Sequence, residues 1–269
     1  MKELSRNEVK EETVKLLKKL DNITKDLNIS YTLGYGTLLG AIRHNGFIPW
    51  DDDLDVIMLR KDFDILCDFF KKNEQRMYPL KLCNRENTQN YYYGIPRLAN
   101  MDFYYKCIGN EKQFDLGIFI DIYPLDNSTG NNRKDIKLYK KVKIYNSFYT
   151  RYINSKSNNV LKLIIKWAMK LISNVIFGFF IKKPDEYAKN MVLKYSKENS
   201  DMVGVFVWND RFISFKKEWF NDYVLHIFEK EKFPIIKEYD AFLKKVYGDY
   251  MKLPPREQRR AYHGYKIYK

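Results

Sequence analysis

Gly36-Thr-Leu-Leu-Gly-Ala-Ile-Arg-His-Asn-Gly-Phe-Ile-Pro-Trp-Asp-Asp-Asp-Leu-Asp55 is the stretch on which the reading of this chain turns. It ends in four acids within positions 51–55, followed by Val56-Ile-Met-Leu59, a run of strong β-formers. A strand is predicted over 54–59. Side chains in a strand alternate, so Asp53 and Asp55 point the same way. Two carboxylates held that close repel unless a cation lies between them. Hard oxygen ligands suit Mg2+, which takes one or two carboxylates together with substrate phosphates. Upstream, Gly34 and Gly36 let the backbone approach a phosphate, and a short helix predicted over 37–43 would offer its free N–H groups there, at Thr37. Asp51 and Asp52 read as a solvated turn, with Asp52 alternatively orienting a ligand from behind.

Further along, Gly117-Ile-Phe-Ile-Asp-Ile-Tyr123 alternates cleanly and predicts another strand. Ile118, Ile120 and Ile122 share one face; Phe119, Asp121 and Tyr123 share the other. An Asp inside so apolar a strand is seldom there for stability. If this strand lies beside that of Asp55, the three acids form one metal site.

The rest of the chain frames these two strands. Ser5 and Glu8 make a capping box ahead of a helix over 6–28, and a strand is predicted over 29–33. Asn45-Gly46 marks a turn, 60–72 a helix, 91–98 a strand and 126–132 a loop. Residues 133–199 are helical in pattern, with a fresh helix start at Pro184-Asp185. Strand-like pieces return over 203–234, a helix follows over 237–247, and a basic tail closes the chain. The expected class is α+β: a mixed sheet flanked by helices, with a catalytic core over 1–132, a helical insert over 133–200 and a mixed part over 201–269 that completes the site.

Composition limits what the chain can be. Its 269 residues are 45% hydrophobic, so disorder is excluded as the main state. The net charge of +14 suits a polyanionic or phosphate-bearing partner or anionic lipid. Lys outnumbers Arg 36 to 12, which equally fits a coding bias with lysines spread over solvated faces. Cys67, Cys83 and Cys107 lack metal-ligand spacing, and an odd count supports no disulfide framework. Residues 1–30 hold no apolar leader, and no apolar run reaches the ~18 residues of a membrane span. A cytoplasmic protein is expected, at most peripheral at the inner face of the membrane.

The block Gly36–Asp55 closely resembles the signature of the LicD family. So do Phe119-Ile-Asp-Ile-Tyr-Pro-Leu-Asp126 and Tyr247-Gly-Asp-Tyr-Met-Lys-Leu-Pro-Pro255 with His263 beyond it, all in the family's order. Gly36-Thr37 followed by Asp53-x-Asp55 is also the layout of nucleotidyltransferase-type folds. The resemblance implies a nucleotidyltransferase-like core. It also implies transfer of phosphocholine from CDP-choline to a sugar hydroxyl of teichoic acid, lipopolysaccharide or capsule, with CMP released. Family relatives in animals, fukutin and fukutin-related protein, transfer ribitol phosphate. Carried over by position, Asp53 and Asp55 would hold Mg2+, with Mn2+ able to take its place. Asp121 would complete the set, as a ligand of a first or second ion or as the base that takes the acceptor's proton.

Around this centre, Arg43 and His44 are candidate diphosphate contacts, with a plain loop role open for His44. Arg97 is a further candidate. A choline headgroup has no hydrogen to donate and needs aromatic faces. Of Tyr35, Trp50, Tyr91, Tyr92, Tyr93, Tyr123 and Trp208, the reading favours Trp50 and Tyr93. A glycerol, ribitol or ethanolamine headgroup would want polar groups instead. Residues 160–181 place Lys162, Lys166, Lys170 and Asn174 along one stripe of an otherwise apolar helix. It reads as a core helix with one wet edge or as an interfacial helix on anionic lipid, near a lipid-linked glycan acceptor. Two other functions stay open. One is a nucleotidyltransferase acting on a small molecule or nucleic acid. The other is a non-catalytic basic protein, although no aromatic–basic nucleic-acid motif is present.

Overall fold

The first predicted helix forms with its predicted cap. A computed structural model describes residues 1–89, 91, 93–108, 114–154, 160–161, 164–165, 167–168, 190, 192–193, 200–206, 211–259 and 264–269. In helix α1, Arg6–Asp26, the Ser5 hydroxyl accepts the Glu8 N–H at 3.3 Å and the Glu8 carboxylate accepts the Ser5 N–H at 2.7 Å. Leu16, Leu17, Leu20 and Ile23 form its buried stripe.

The strand expected over 29–33 shortens to β1, Thr32–Leu33. Asn28 sits at a φ of 52°, and the Ile29 N–H still reaches back to the Thr24 carbonyl at 2.9 Å. The chain is therefore still leaving α1 at Ile29. Helix α2 spans Tyr35–His44 and starts two residues before its expected first position. Asn45 ends it in the left-handed conformation that the Asn-Gly turn signal implies. Gly40 is required here, because a Cβ on it would lie 2.4 Å from the Gly46 carbonyl oxygen. Strand β2, Asp55–Leu59, and helix α3, Arg60–Lys72, follow as expected. A short helix α4, Glu74–Met77, precedes β3, Leu80–Cys83, a strand with no clear pattern of its own.

The strand expected over 91–98 is corrected to β4, Arg97–Asn100. Gly94 and Pro96 interrupt the run. Before it, the Tyr91 hydroxyl donates to the Ile95 carbonyl at 2.6 Å, closing a buried loop. Strand β5 is Tyr104–Cys107, and β6 is Ile118–Asn127, which extends into the region read as a loop. Asp126 explains the extension, since its backbone pairs with Gly204 in β7, Met202–Gly204.

Among the described residues these strands make a seven-stranded mixed sheet in the order β1-β2-β6-β4-β3, with β7 and β8, Ser214–Lys216, joined at the far end of β6. The β2–β6 pair is parallel and the other pairs are antiparallel. Helices α1 and α3 pack on β6, and α2 packs on β2. A hairpin of β9, Tyr223–Phe228, and β10, Glu231–Ile236, leads to the last helix, Tyr239–Tyr247. The expected basic tail instead ends in a strand, β11, Tyr265–Tyr268, paired with β5. On its other side the tail meets the chain's start: the Lys2 N–H bonds Lys269 O at 2.7 Å and the Leu4 N–H bonds Ile267 O at 2.9 Å.

Helix α5, Asn132–Asn154, opens the expected helical stretch. Leu138, Tyr139 and Val142 join Val192 and Phe206 in a small cluster separate from the main core. Val160, Leu161, Ile164, Ile165 and Trp167 are helical and all more than half exposed, so these five do not belong to a core helix. Lys162, Lys166, Lys170, Asn174 and Pro184, like Tyr92, Trp208 and His263, lie outside the described residues. Among the described residues no helix is long and apolar enough to cross a membrane.

One ion pair ties the sheet to its flanking helix. Arg60, at the start of α3, forks onto Asp126 at 2.7 and 2.9 Å, and Asp126 is almost wholly buried. Removing Asp126 leaves the buried Arg60 only the longer contact with the more exposed Asp64 at 3.7 Å, and breaking a buried pair of this kind costs about 3–5 kcal/mol. Asp126→Ala is expected to lower unfolding stability by about that amount in urea denaturation. A loss under about 1 kcal/mol would mean that the pair is screened like a surface bridge.

Candidate active site

Register brings the charged residues together. Asp55 on β2 is the Cα partner of Asp121 on β6, and Asp121 is the partner of Arg97 on β4. Partners at one level across a sheet share a face. The three therefore form a row, acid–acid–base, across three central strands. All three are buried. Asp53 joins from the loop just before β2. One carboxylate oxygen each from Asp53, Asp55 and Asp121 lie within 4.8 Å of one another. The condition set by the sequence, that the two strands be neighbours, is met.

Helix α2 opens beside this row. Thr37, buried in its first turn, turns its hydroxyl inward, where it accepts the Asp55 N–H at 2.8 Å. It anchors the acidic strand. Gly36 is needed for contact of another kind: a Cβ there would lie 3.0 Å from Asp51 Oδ2. Asp51 also accepts the Asp52 N–H at 3.2 Å, and Asp52 faces Arg6 of α1 at 3.5 Å. The acid loop is thus half-buried and tethered, where a solvated turn was expected.

Arg97 is paired with the acids on one edge of its guanidinium. Its Nε donates to Asp121 Oδ1 at 2.6 Å. Its guanidinium lies 4.1 Å from the Tyr93 ring centre and 3.9 Å from that of Phe119. Arg97, a candidate diphosphate contact, thus makes an internal ion pair while its Nη1 stays buried with no hydrogen-bond partner among the described residues, and Tyr93, expected at a choline headgroup, faces this guanidinium. Trp50 is similar: the Arg259 guanidinium sits 5.5 Å from its ring centre, and the His44 ring stands edge-on at 6.4 Å. Arg43 donates from Nε to His44 Nε2 at 3.0 Å and from Nη1 to the Tyr250 carbonyl at 2.7 Å. Burial and the neighbouring Arg43 push the His44 pKa down, so this ring is neutral at pH 7.

Three tyrosines join the site, of which Tyr265 alone carries no sequence signal. Tyr247 from the last helix and Tyr265 from β11 sit in the field of the acids, as does Tyr123 on β6. Burial is the chief cause that raises each phenol's pKa. Asp55 adds to it at Tyr123 and Tyr247, and Asp52 and Asp53 add to it at Tyr265. These hydroxyls stay protonated, which makes them neutral donors in the field of the carboxylates. Tyr35 packs edge-on to Tyr123 at 4.8 Å.

Asp55 shows what the site lacks. Burial first, then Asp53, Asp121 and Asp51, raise its pKa well above the ordinary carboxylate value. Its Oδ1 is buried with no hydrogen-bond partner. An orphaned buried oxygen within a trio of carboxylates fits a divalent cation held by Asp53, Asp55 and Asp121.

A carboxylate trio that could hold a cation, opening beside a helix N-terminus, suits chemistry on phosphate-bearing groups. Residues 28–160 match the family described as LicD/FKTN/FKRP, nucleotidyltransferase domain. The whole chain is 30% identical to the lipopolysaccharide cholinephosphotransferase LicD of Haemophilus influenzae, over 99% of that protein. An uncharacterized protein of Rickettsia typhi is 31% identical over 49% of this chain and 41% of its own. This chain belongs to the LicD family, and it is a transferase.

The raised Asp55 pKa has a definite sign. An acid whose folded pKa lies above its unfolded value near 3.9 destabilises the metal-free fold as pH rises past that unfolded value. Asp55→Asn is therefore expected to melt higher than the metal-free wild type at pH 8, with the difference closing below about pH 4. Only the wild type should gain thermal stability from Mg2+ or Mn2+. A wild-type melting temperature indifferent to both ions at pH 8 would rule out a cation at this trio.

Proposed function

We propose that this protein transfers phosphocholine from CDP-choline to a sugar hydroxyl of a cell-surface glycan, such as lipopolysaccharide, teichoic acid or capsule, and releases CMP. The observation that carries the reading is likeness to a cholinephosphotransferase along the full length of both chains. The orphaned Asp55 oxygen supports it, because a nucleoside diphosphate brings its own need for a cation. The β1–β2–β6 core with α2 supports a nucleotidyltransferase-like fold as its frame.

In this reading Asp53, Asp55 and Asp121 hold Mg2+, one ion or two. When bound, it supplies charge neutralisation at the diphosphate. The first turn of α2, with Gly36, faces the phosphates with its N–H groups. The acceptor oxygen forms a bond to the choline-bearing phosphorus, and the bond from that phosphorus to the bridging oxygen of CMP breaks. Asp121 already accepts the Arg97 N–H, which favours a ligand's role for it over a base's. Asp53, half-buried where Asp55 and Asp121 are buried, takes the acceptor's proton in this reading with the carboxylate oxygen that does not hold the ion. The exposed Val160, Leu161, Ile164, Ile165 and Trp167 support a peripheral contact with the membrane that carries a lipid-linked acceptor, and in this reading the enzyme works at its cytoplasmic face.

With Mg2+ and parallel CDP-choline, CDP-ethanolamine, CDP-glycerol and CDP-ribitol, the wild type is expected to release CMP from CDP-choline. Asp53→Asn should lose at least about a hundredfold of that rate. Release of pyrophosphate from CTP in place of CMP would assign the nucleotidyltransferase reaction, and calorimetry showing no Mg2+-dependent binding of any CDP-alcohol would overturn the reading. Co-sedimentation with anionic vesicles is expected for the wild type and reduced in Trp167→Glu. Equal pelleting of both would remove the membrane contact.

A further inference from the structure

Arg43 and Arg259 come from opposite ends of the chain and meet around Trp50. Arg43 closes α2; Arg259 follows a stretch that passes Tyr250 and Pro254. Each is fixed along one edge by a backbone carbonyl: Arg43 Nη1 by Tyr250 at 2.7 Å, and Arg259 Nε by Pro254 at 2.8 Å. His44 and Trp50 connect them through contacts already described. Neither guanidinium has a carboxylate partner among the described residues. Among the described residues no hydrogen bond engages the remaining nitrogens of either fork.

A basic residue in the last turn of a helix is ordinary, because it meets the negative end of the dipole. That accounts for Arg43 and leaves Arg259 unexplained. Two like charges brought together with no counter-ion repel each other, and burial with Arg259 nearby does lower the Arg43 pKa. The fork geometry of arginine matches a phosphate. The position is also apt. Trp50 directly precedes the acid loop, and Tyr247 lies in the field both of the carboxylates and of Arg43.

We infer that Arg43 and Arg259 form a phosphate subsite, which takes the face of the donor's diphosphate turned away from the carboxylates. The donor's identity rests on the proposed function; the phosphate chemistry does not. The C-terminal segment is then part of the substrate site through Arg259.

Calorimetry on the full chain with Mg2+ tests this, using CDP-choline, pyrophosphate and cytidine as probes. Arg259→Ala is expected to weaken CDP-choline and pyrophosphate about ten- to hundredfold, with Arg259→Lys intermediate. Cytidine binding and melting temperature should match the wild type. Mn2+ binding to the trio, followed by electron spin resonance, should be unchanged. Arg43→Ala should behave like Arg259→Ala. Unchanged pyrophosphate and CDP-choline affinity in a folded Arg259→Ala overturns the subsite. A wild type that binds pyrophosphate through Arg259 but no CDP-alcohol keeps the subsite and refutes the donor.

Discussion

Two carboxylates facing each other at one register level, in the parallel pair at the centre of the sheet, set the terms for everything around them. Asp55 and Asp121 are buried where water cannot screen them. Their repulsion is met on one side by Arg97, whose Nε donates to Asp121 while two aromatic rings hold its guanidinium. On the other side the Asp55 Oδ1 stays without a donor among the described residues. The site is thus half-neutralised by the fold. The row is one charge short, and that shortage makes it suited to a cation that arrives with a phosphate-bearing substrate.

Much of this was legible from local pattern. The i, i+2 acids ahead of a β-rich run and the alternation around Asp121 placed both strands, and the helices α1 and α3 followed from capping and periodicity. What the pattern could not say was that β2 and β6 are neighbours, since adjacency of parallel strands is a tertiary fact. Strand β3 and the tail strand β11 have too little alternation to stand out and gain their form from β4 and β5. Tyr247, Tyr265 and Arg259 reach the site from more than a hundred residues away. No spacing rule links them to Asp55. The corrected strand over 91–98 failed for a local reason: aromatic content raised its β-propensity, while Gly94 and Pro96 kept it a loop.

The aromatic residues behave differently from a simple headgroup cage. Tyr93 and Trp50 each face an arginine of the same chain. A cation–π contact stabilises by roughly 0.5–2 kcal/mol, so a quaternary ammonium approaching either ring competes with a partner already in place. Tyr35 and Tyr123, packed against each other at 4.8 Å, form a second aromatic surface close to the acids. The phenols' hydroxyls, held protonated, give the same region a polar character that would also suit a polyol.

The Arg43–Tyr250 bond spans 207 residues, and Lys2 pairs with Lys269. Contacts of such range close slowly and late in folding. A chain emerging from the ribosome completes the sheet strands that carry Asp55 and Asp121 well before it has the residues that line the other side of the site. Until the last strand is released, the nascent protein holds its carboxylates without the arginine and tyrosines that accompany them. The site as proposed is therefore completed only with the final stretch of translation, which supplies Arg259 and Tyr265.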